Sequence, residues 1–218
     1  MAFHSYLSLD SDASIHTLMD DERMEAEKEF VQCVEARADI SSHLYATLGL
    51  KTQSRILLHM EGESPVIIQT LVRDLMHTTL GRHLRITYTL SGITRSSQYN
   101  PHHAPKESAP ETPHQYLVVY PFTKTIEWHL LPYDQRRAIM KDHVDVGRKF
   151  SASISQLLLY AYGIDDHEFI VSYQMNSLEE FQTLVMELRS TEARRHTKND
   201  TPIFTCIHMP FNDALAML

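Results

Sequence analysis

Cysteine is almost missing from this chain: 218 residues hold only Cys33 and Cys206. Two such distant thiols offer neither a disulfide framework nor the spacing of a metal–thiolate site, and a reducing, cytoplasmic setting fits them best. Long apolar runs are also missing. None approaches the roughly 18 residues that a membrane-spanning helix needs. The N-terminal MAFHSYLSLDSD lacks both the basic n-region and the apolar h-region of a signal peptide, so no membrane partner is expected. Positive charge is in deficit, with 20 Lys and Arg against 28 Asp and Glu and a net charge of −8. That balance opposes non-specific binding to nucleic acid. What remains is 43% apolar, ordinary for a globular chain and enough to build a core in one or two domains.

Taken in order, the chain alternates strands and helices. Phe3–Leu9 alternates apolar and polar residues and reads as a strand. Asp20–Ala38 reads as a helix with Met24, Phe30, Val31 and Val34 on its apolar stripe. Strands follow at Ile40–Leu48, before the Gly49 turn, and at Ser54–Met60. Ser64 and Pro65 open a helix that buries Ile67, Ile68, Leu71, Leu75 and Met76 and runs to about Gly81. Leu84–Ile93 is the fourth strand. This β-α-β-β-α-β order is the ferredoxin-like one. Tyr99–Pro113 carries Pro101, Pro105, Pro110 and Pro113 and reads as a linker. Of the 14 histidines, His102 and His103 fall in it and read as solvated.

The second half repeats the order: a strand at Tyr116–Phe122, a helix containing His143 and ended by Gly147, and strands at Ile154–Tyr162 and Glu168–Gln174. A helix capped by Ser177 with Glu180 three residues on follows, then a strand at Pro202–His208. The tail after Pro210 is expected to be loosely held. The expectation is an α+β chain of two tandem ferredoxin-like domains with antiparallel sheets, of the dimeric α/β-barrel type. The first covers 1–98, a linker 99–114, the second 115–209, and a tail 210–218.

Two polar residues stand where apolar ones are expected. His143 shares a helical stripe with Ile139, Met140 and Val146. Gln156 lies on one strand face with Ile154, Leu158, Tyr160 and Tyr162. Buried polar groups need partners. Either both are satisfied inside the core or both face a ligand. The Asp165-Asp166 pair after Gly163 reads as a turn, since Asp accepts local backbone hydrogen bonds, rather than as an acid/base dyad.

The ordered motifs of this half decide between those readings. Tyr120-Pro121, Lys124 and Glu127-Trp128 lead to a helix with Asp142-His143, then a strand, then Gly163-Ile164-Asp165-Asp166-His167-Glu168-Phe169. This order resembles the chlorite dismutase family of heme proteins, which includes the coproheme decarboxylases. The resemblance implies a heme in the C-terminal half with His143 as the axial iron ligand. It implies that Glu192 hydrogen-bonds that imidazole, that Lys124 and Trp128 meet propionates, and that Arg95 and Tyr99 contact propionates as in some relatives.

Two positions steer the implied activity. Chlorite dismutases carry a distal arginine thirteen residues after the axial histidine, suited to holding an anionic oxidant; this chain has Gln156. Glutamine there, with Tyr120 at the place of the redox-active tyrosine, resembles the coproheme decarboxylases of the Gram-positive type. His129 stands where chlorite-degrading members often have a second aromatic residue. The implied reaction is peroxide-dependent decarboxylation of iron coproporphyrin III (coproheme) to heme b, with Tyr120, Gln156 and Lys124 at the reacting edge. Alternatives are chlorite dismutase with resident heme b, a heme carrier or sensor without turnover, and a ferredoxin-like binding module without heme. Six full N-terminal elements favour a homo-pentamer over a dimer.

Overall fold

A computed structural model describes residues 1–97, 99, 108–110 and 112–218 of the chain. The first half runs β1 (Phe3–Ser11), α1 (Asp20–Glu35), β2 (Ile40–Ala46), β3 (Ile56–Gly62), α2 (Pro65–His77) and β4 (Leu84–Ile93). The second runs β5 (Tyr116–Lys124), α3 (Ile126–Leu130), α4 (Tyr133–Arg148), β6 (Ile154–Tyr160), β7 (Phe169–Met175), α5 (Leu178–Arg189), β8 (Thr197–Asn199) and β9 (Phe204–His208). Pro101, His102, His103 and Pro105 of the expected linker lie outside the described residues.

Each half pairs its strands in the ferredoxin-like order, β4-β1-β3-β2 and β6-β7-β5-β9, all antiparallel. Two seams join them. Tyr45 and Ala46 of β2 pair with His208 and Ile207 of β9, and Ile93 of β4 pairs with Tyr160 of β6. The eight strands therefore close into one barrel, which removes their free edges. Closure sets a demand at Gly92, on β4 beside the second seam. A Cβ there would stand 2.9 Å from the Leu159 Cβ and 3.1 Å from the Tyr160 carbonyl oxygen. Only glycine admits that approach.

Strand alternation sorts side chains into three cores. Tyr6, Tyr45, Leu57, Leu90, Leu117, Val119, Leu157, Leu159, Ile170, Phe204 and Cys206 fill the barrel interior from both halves. The Tyr6 hydroxyl crosses that interior to donate to Ser172 Oγ at 2.9 Å. One end of the interior is polar: His4 Nδ1 and His59 Nε2 lie 3.2 Å apart, and the His59 ring stacks on Tyr6 at 4.2 Å. Burial holds His59 well below the usual histidine pKa, so it is neutral. Glu61 accepts from the Ser108 hydroxyl and the Ala109 N–H, tying the segment between the halves to this end.

The two other cores lie outside the barrel, under the helices. The N-terminal one is dense: Phe30 and Val34 of α1 and Ile68, Leu71 and Leu75 of α2 pack on Leu7, Leu44, Leu58 and Met60. Met24, expected on the buried stripe, is 64% exposed, because Ala26, Phe30 and Val34 at four-residue spacing form the inward line. Pro210 opens a further helix, α6 (Phe211–Leu215). Ala214, Leu215 and Leu218 are buried in this same core, so the tail is docked rather than loose, held by apolar contact that its Phe-Asn-Asp-Ala-Leu start only partly advertises. The third core, under α5, holds Val118, Ile154, Val171, Tyr173, Phe181 and Leu184.

Several boundaries differ by a few residues from the sequence reading. α1 ends at Glu35 rather than Ala38, and α2 at His77 rather than Gly81, where a 3-10 turn over Gly81–His83 takes over. β6 stops at Tyr160; Tyr162 makes only an isolated bridge to Asp165 in the turn made by Gly163, whose φ is +69°. Asp165 accepts from the Asp166 and Ser91 N–H groups, the structural role expected of it.

Candidate active site

The outer face of the second half's sheet carries aromatic and polar side chains in registered rows. Tyr120 pairs across to Val171 and Leu158, Val118 to Tyr173 and Gln156, and Phe122 to Phe169 and Tyr160. Tyr120, Gln156 and Tyr173 thus share one face, one row apart. The Phe122 and Phe169 rings stack at 4.7 Å, and Tyr160 and Tyr162 lean on Phe169 at 5.4 and 5.0 Å. Gln156 is exposed on this floor.

Over the same half lies α4, and it is anomalous. Sixteen residues long, it has no buried residue, whereas α1, α2 and α5 each bury at least two. Its inward stripe of Arg136, Ile139, Met140, His143 and Val146 is only half-buried. An amphipathic helix normally covers its apolar stripe. This stripe stands ready for apolar contact that the described chain does not supply.

His143 sits in that stripe. Its Nδ1 is buried and has no hydrogen-bond partner. Burial, and after it the positive charge of Lys124, pushes its pKa down to about 4. The imidazole is therefore neutral at physiological pH, the form that donates a lone pair to a metal. Lys124 closes β5, where its N–H donates to Glu168 Oε2 at 2.8 Å. Its ammonium lies 4.6 Å above the Trp128 ring and 5.8 Å from the Phe122 ring. Desolvation lowers its pKa to about 8, against an opposing pull from Glu168. Trp128 is buried on α3, a short helix that the sequence reading missed; the Thr125 hydroxyl caps it by accepting from the Trp128 N–H at 3.3 Å. His129, next to it, binds Glu168 Oε1 at 2.8 Å.

Tyr120 is half-buried; desolvation raises its pKa, and the neighbouring Tyr173 hydroxyl counters part of the rise. The two rings stack 6.2 Å apart. Arg95 is exposed with its guanidinium 5.9 Å from the Tyr160 ring. Tyr99 packs between Trp128 at 6.3 Å and Tyr133 at 6.0 Å. Glu192 departs from expectation. It is exposed in a 3-10 turn over Glu192–His196 and pairs with Arg195 at 3.4 Å, its i+3 neighbour, while the His143 Nδ1 has no hydrogen-bond partner, so the expected hydrogen bond between the two is not formed.

The sequence profile of the chlorite dismutase family matches residues 22–209. The chain belongs to the chlorite dismutase family. It is 28% identical to the coproheme decarboxylase of Mycolicibacterium smegmatis over 190 residues, which cover 87% of this chain and 82% of that protein. The chlorite dismutase of Candidatus Nitrospira defluvii in complex with imidazole superposes at a TM-score of 0.90 with 22% identity, covering 99% of this chain and 94% of that one. A putative chlorite dismutase superposes at 0.86 with 22% identity, covering 100% and 98%. The tandem ferredoxin-like barrel is thus the chlorite dismutase fold.

The chemistry of the site residues fits a porphyrin. A neutral imidazole with an unpartnered nitrogen can ligate iron. The uncovered α4 stripe and the aromatic floor can flank a flat apolar ring, and Lys124, Arg95 and Arg136 place positive charge around them. Among the described residues no group of three or more His, Cys, Asp or Glu is placed to hold a metal ion. Sequence reasoning missed Arg136 and Tyr173. Arg136 was visible as the residue two turns before His143 on one stripe; Tyr173 needed the strand register, which local sequence does not give.

Proposed function

We propose that the protein is a heme-dependent oxidoreductase that acts as a coproheme decarboxylase, converting iron coproporphyrin III to heme b with hydrogen peroxide as oxidant. The observation that carries this reading is the stacked Tyr120–Tyr173 phenol pair on the same sheet face as uncharged Gln156. The similarity to the mycobacterial enzyme supports it. Per propionate, the side chain loses carbon dioxide, one proton and two electrons and becomes a vinyl group. One peroxide takes up those two electrons with two protons and becomes two waters. Two rounds give heme b.

When bound, the iron supplies the oxidising power. The chain's residues do the rest. His143, neutral, holds the iron from the α4 side. Tyr120, having given one electron to the peroxide-derived oxidant and its proton to a nearby base, takes a hydrogen atom from the propionate. The second electron passes to the same oxidant as the carbon–carboxylate bond breaks to carbon dioxide and the vinyl group forms. The Tyr173 ring, stacked 6.2 Å from that of Tyr120, fixes that phenol against the sheet. Lys124, with a pKa near 8, binds a propionate and can pass a proton at neutral pH. Trp128, Arg95 and Tyr99 line the carboxylate edge. Gln156 offers hydrogen bonds without charge, which suits peroxide better than an anionic oxidant.

We further assign the protein to the cytoplasm, as a homo-pentamer built from both complete halves, 1–98 and 115–209. Among the described residues no helix is long and apolar enough to cross a membrane. The test is mass spectrometry of the porphyrin after titrating coproheme-loaded protein with peroxide. Stepwise loss of two carboxyl groups is expected. Intact or merely bleached coproheme would overturn the reading, and oxygen evolution on adding chlorite would then favour chlorite dismutase chemistry.

A further inference from the structure

Arg136 has a place in the site that no assigned role explains. It lies on α4 two turns before His143, on the same half-buried stripe. Its Nε is buried and has no hydrogen-bond partner. Among the described residues no carboxylate forms an ion pair with it. A guanidinium N–H shielded from water without an acceptor is costly, and arginine in the first turns of a helix could point wholly to solvent at no cost. Beside it the Tyr99 hydroxyl is buried as well. The guanidinium is close enough to oppose the rise that burial imposes on the Tyr99 pKa, yet the hydroxyl finds no partner in good geometry. Arg136 acts on Tyr162 in the same way.

Two buried polar atoms without a partner in good geometry, the Arg136 Nε and the Tyr99 hydroxyl, thus converge at one edge of the site. The Tyr99 ring is held there by Trp128 and Tyr133. Along the helix Arg136 is displaced from His143 by about 10 Å, on the scale that separates a porphyrin's metal from its peripheral carboxylates. A planar fork of donors with an adjacent hydroxyl is matched by a carboxylate that takes two N–H groups and one O–H.

We infer that Arg136, with the Tyr99 hydroxyl, is a carboxylate clamp that binds one propionate of the tetrapyrrole and fixes the ring's rotation about the axis through His143. This rests on the proposed coproheme reading. Fixing one carboxylate at the Arg136 edge decides which others lie near Tyr120, so the clamp orients the substrate for the two decarboxylations. A porphyrin without free carboxylates gains nothing from it.

The test is binding, read without turnover. Trp128 is the chain's single tryptophan and lies against Tyr99, so its fluorescence should be quenched when a porphyrin occupies the site. Iron-free coproporphyrin and its tetramethyl ester are titrated into wild type, Arg136→Gln, Arg136→Lys and Tyr99→Phe. Arg136→Gln should weaken the acid roughly 10- to 100-fold, the scale of a charge-assisted hydrogen bond, and leave the ester unchanged. Arg136→Lys should recover part of the loss, and Tyr99→Phe should show a smaller one. Equal affinity of wild type and Arg136→Gln for the acid would overturn the clamp while leaving the decarboxylase reading intact. An equal loss for acid and ester would also overturn it, by showing a packing role. Failure of wild type to bind the acid at all would overturn both.

Discussion

Lys124 should be a residue that the ligand-free protein is better off without. Its folded pKa of about 8 against an ordinary 10.5 means that keeping the ammonium charged inside the fold costs about 3 kcal/mol. The side chain is only 9% exposed, so solvent does little to screen that cost. Lys124→Met keeps the stem's volume and removes the charge. It also removes the interaction with the Trp128 face, worth about 0.5–2 kcal/mol. The ligand-free variant should therefore be more stable than wild type by about 1–2 kcal/mol at pH 7, an upward shift of roughly half a molar in a urea midpoint. The gain has a fixed pH window. Below pH 8 both the folded and the unfolded lysine are protonated and the full penalty applies. Between pH 8 and 10.5 the unfolded chain binds the proton and the folded one does not, so wild type gains stability as pH rises and the difference closes. Urea melts of both proteins at pH 7 and pH 10 would show it. A variant that is less stable at pH 7, or a gain that persists unchanged at pH 10, would refute the reasoning. The same variant should bind coproporphyrin more weakly, because the penalty is carried so that a carboxylate can relieve it.

Tyr120→Phe should bind coproheme as wild type does and lose decarboxylation by about a hundredfold or more, as expected for a group that acts only in the chemical step; mass spectrometry of the porphyrin checks it, and retained turnover would remove Tyr120 from the mechanism. Gly92→Ala should cost about 1–3 kcal/mol by forcing a Cβ against Leu159 and the Tyr160 carbonyl at the seam of the barrel. A chemical melt reads this, and an unchanged midpoint would mean that the seam gives way freely. Acid should loosen the fold before the carboxylates titrate. His59 is held neutral by burial, and His43 and His208 are depressed for the same reason. As pH falls below 6.5 the unfolded chain takes up protons that the folded one refuses, and stability drops. A melting temperature that is flat between pH 7.5 and 5.5 would contradict this.

The elements were legible in the sequence where periodicity and caps agree. Pro65 opens α2, and Ser177 accepts from the Glu180 N–H at 3.2 Å to open α5. Boundaries slipped where tertiary contact overrides local pattern. Met24 scored as apolar, yet the four-residue line through Ala26, Phe30 and Val34 decides which face turns inward. The docking of α6 onto the N-terminal core depends on residues more than a hundred positions away, so local sequence could only suggest a tail. His143 was legible because an imidazole interrupts an apolar stripe. The barrel type was expected from the tandem order, but the two seams that close it were not legible, because they rest on only three paired positions between distant strands.

The two halves explain each other through one pair of corresponding helices. α1 and α4 both follow the first strand of their half, and both are 16 residues long. The eleventh residue of α1 is Phe30, 1% exposed and central to its core; the eleventh of α4 is His143. The seventh and fifteenth are Ala26 and Val34 in α1, both buried, and Ile139 and Gly147 in α4, both half-buried. The N-terminal half fills the space under this helix with Phe30, at about 3–5 kcal/mol for a phenylalanine core position, and adds α6. The C-terminal half leaves the same slot uncovered, puts a neutral imidazole where the phenylalanine would be, and keeps charged Lys124 and Arg136 partly desolvated around it. Each of those choices weakens the ligand-free half. They become consistent together when a flat apolar ring with a metal at its centre and carboxylates at its edge occupies the slot, and the closed barrel, anchored by the dense N-terminal core, is what holds that half in shape until it does.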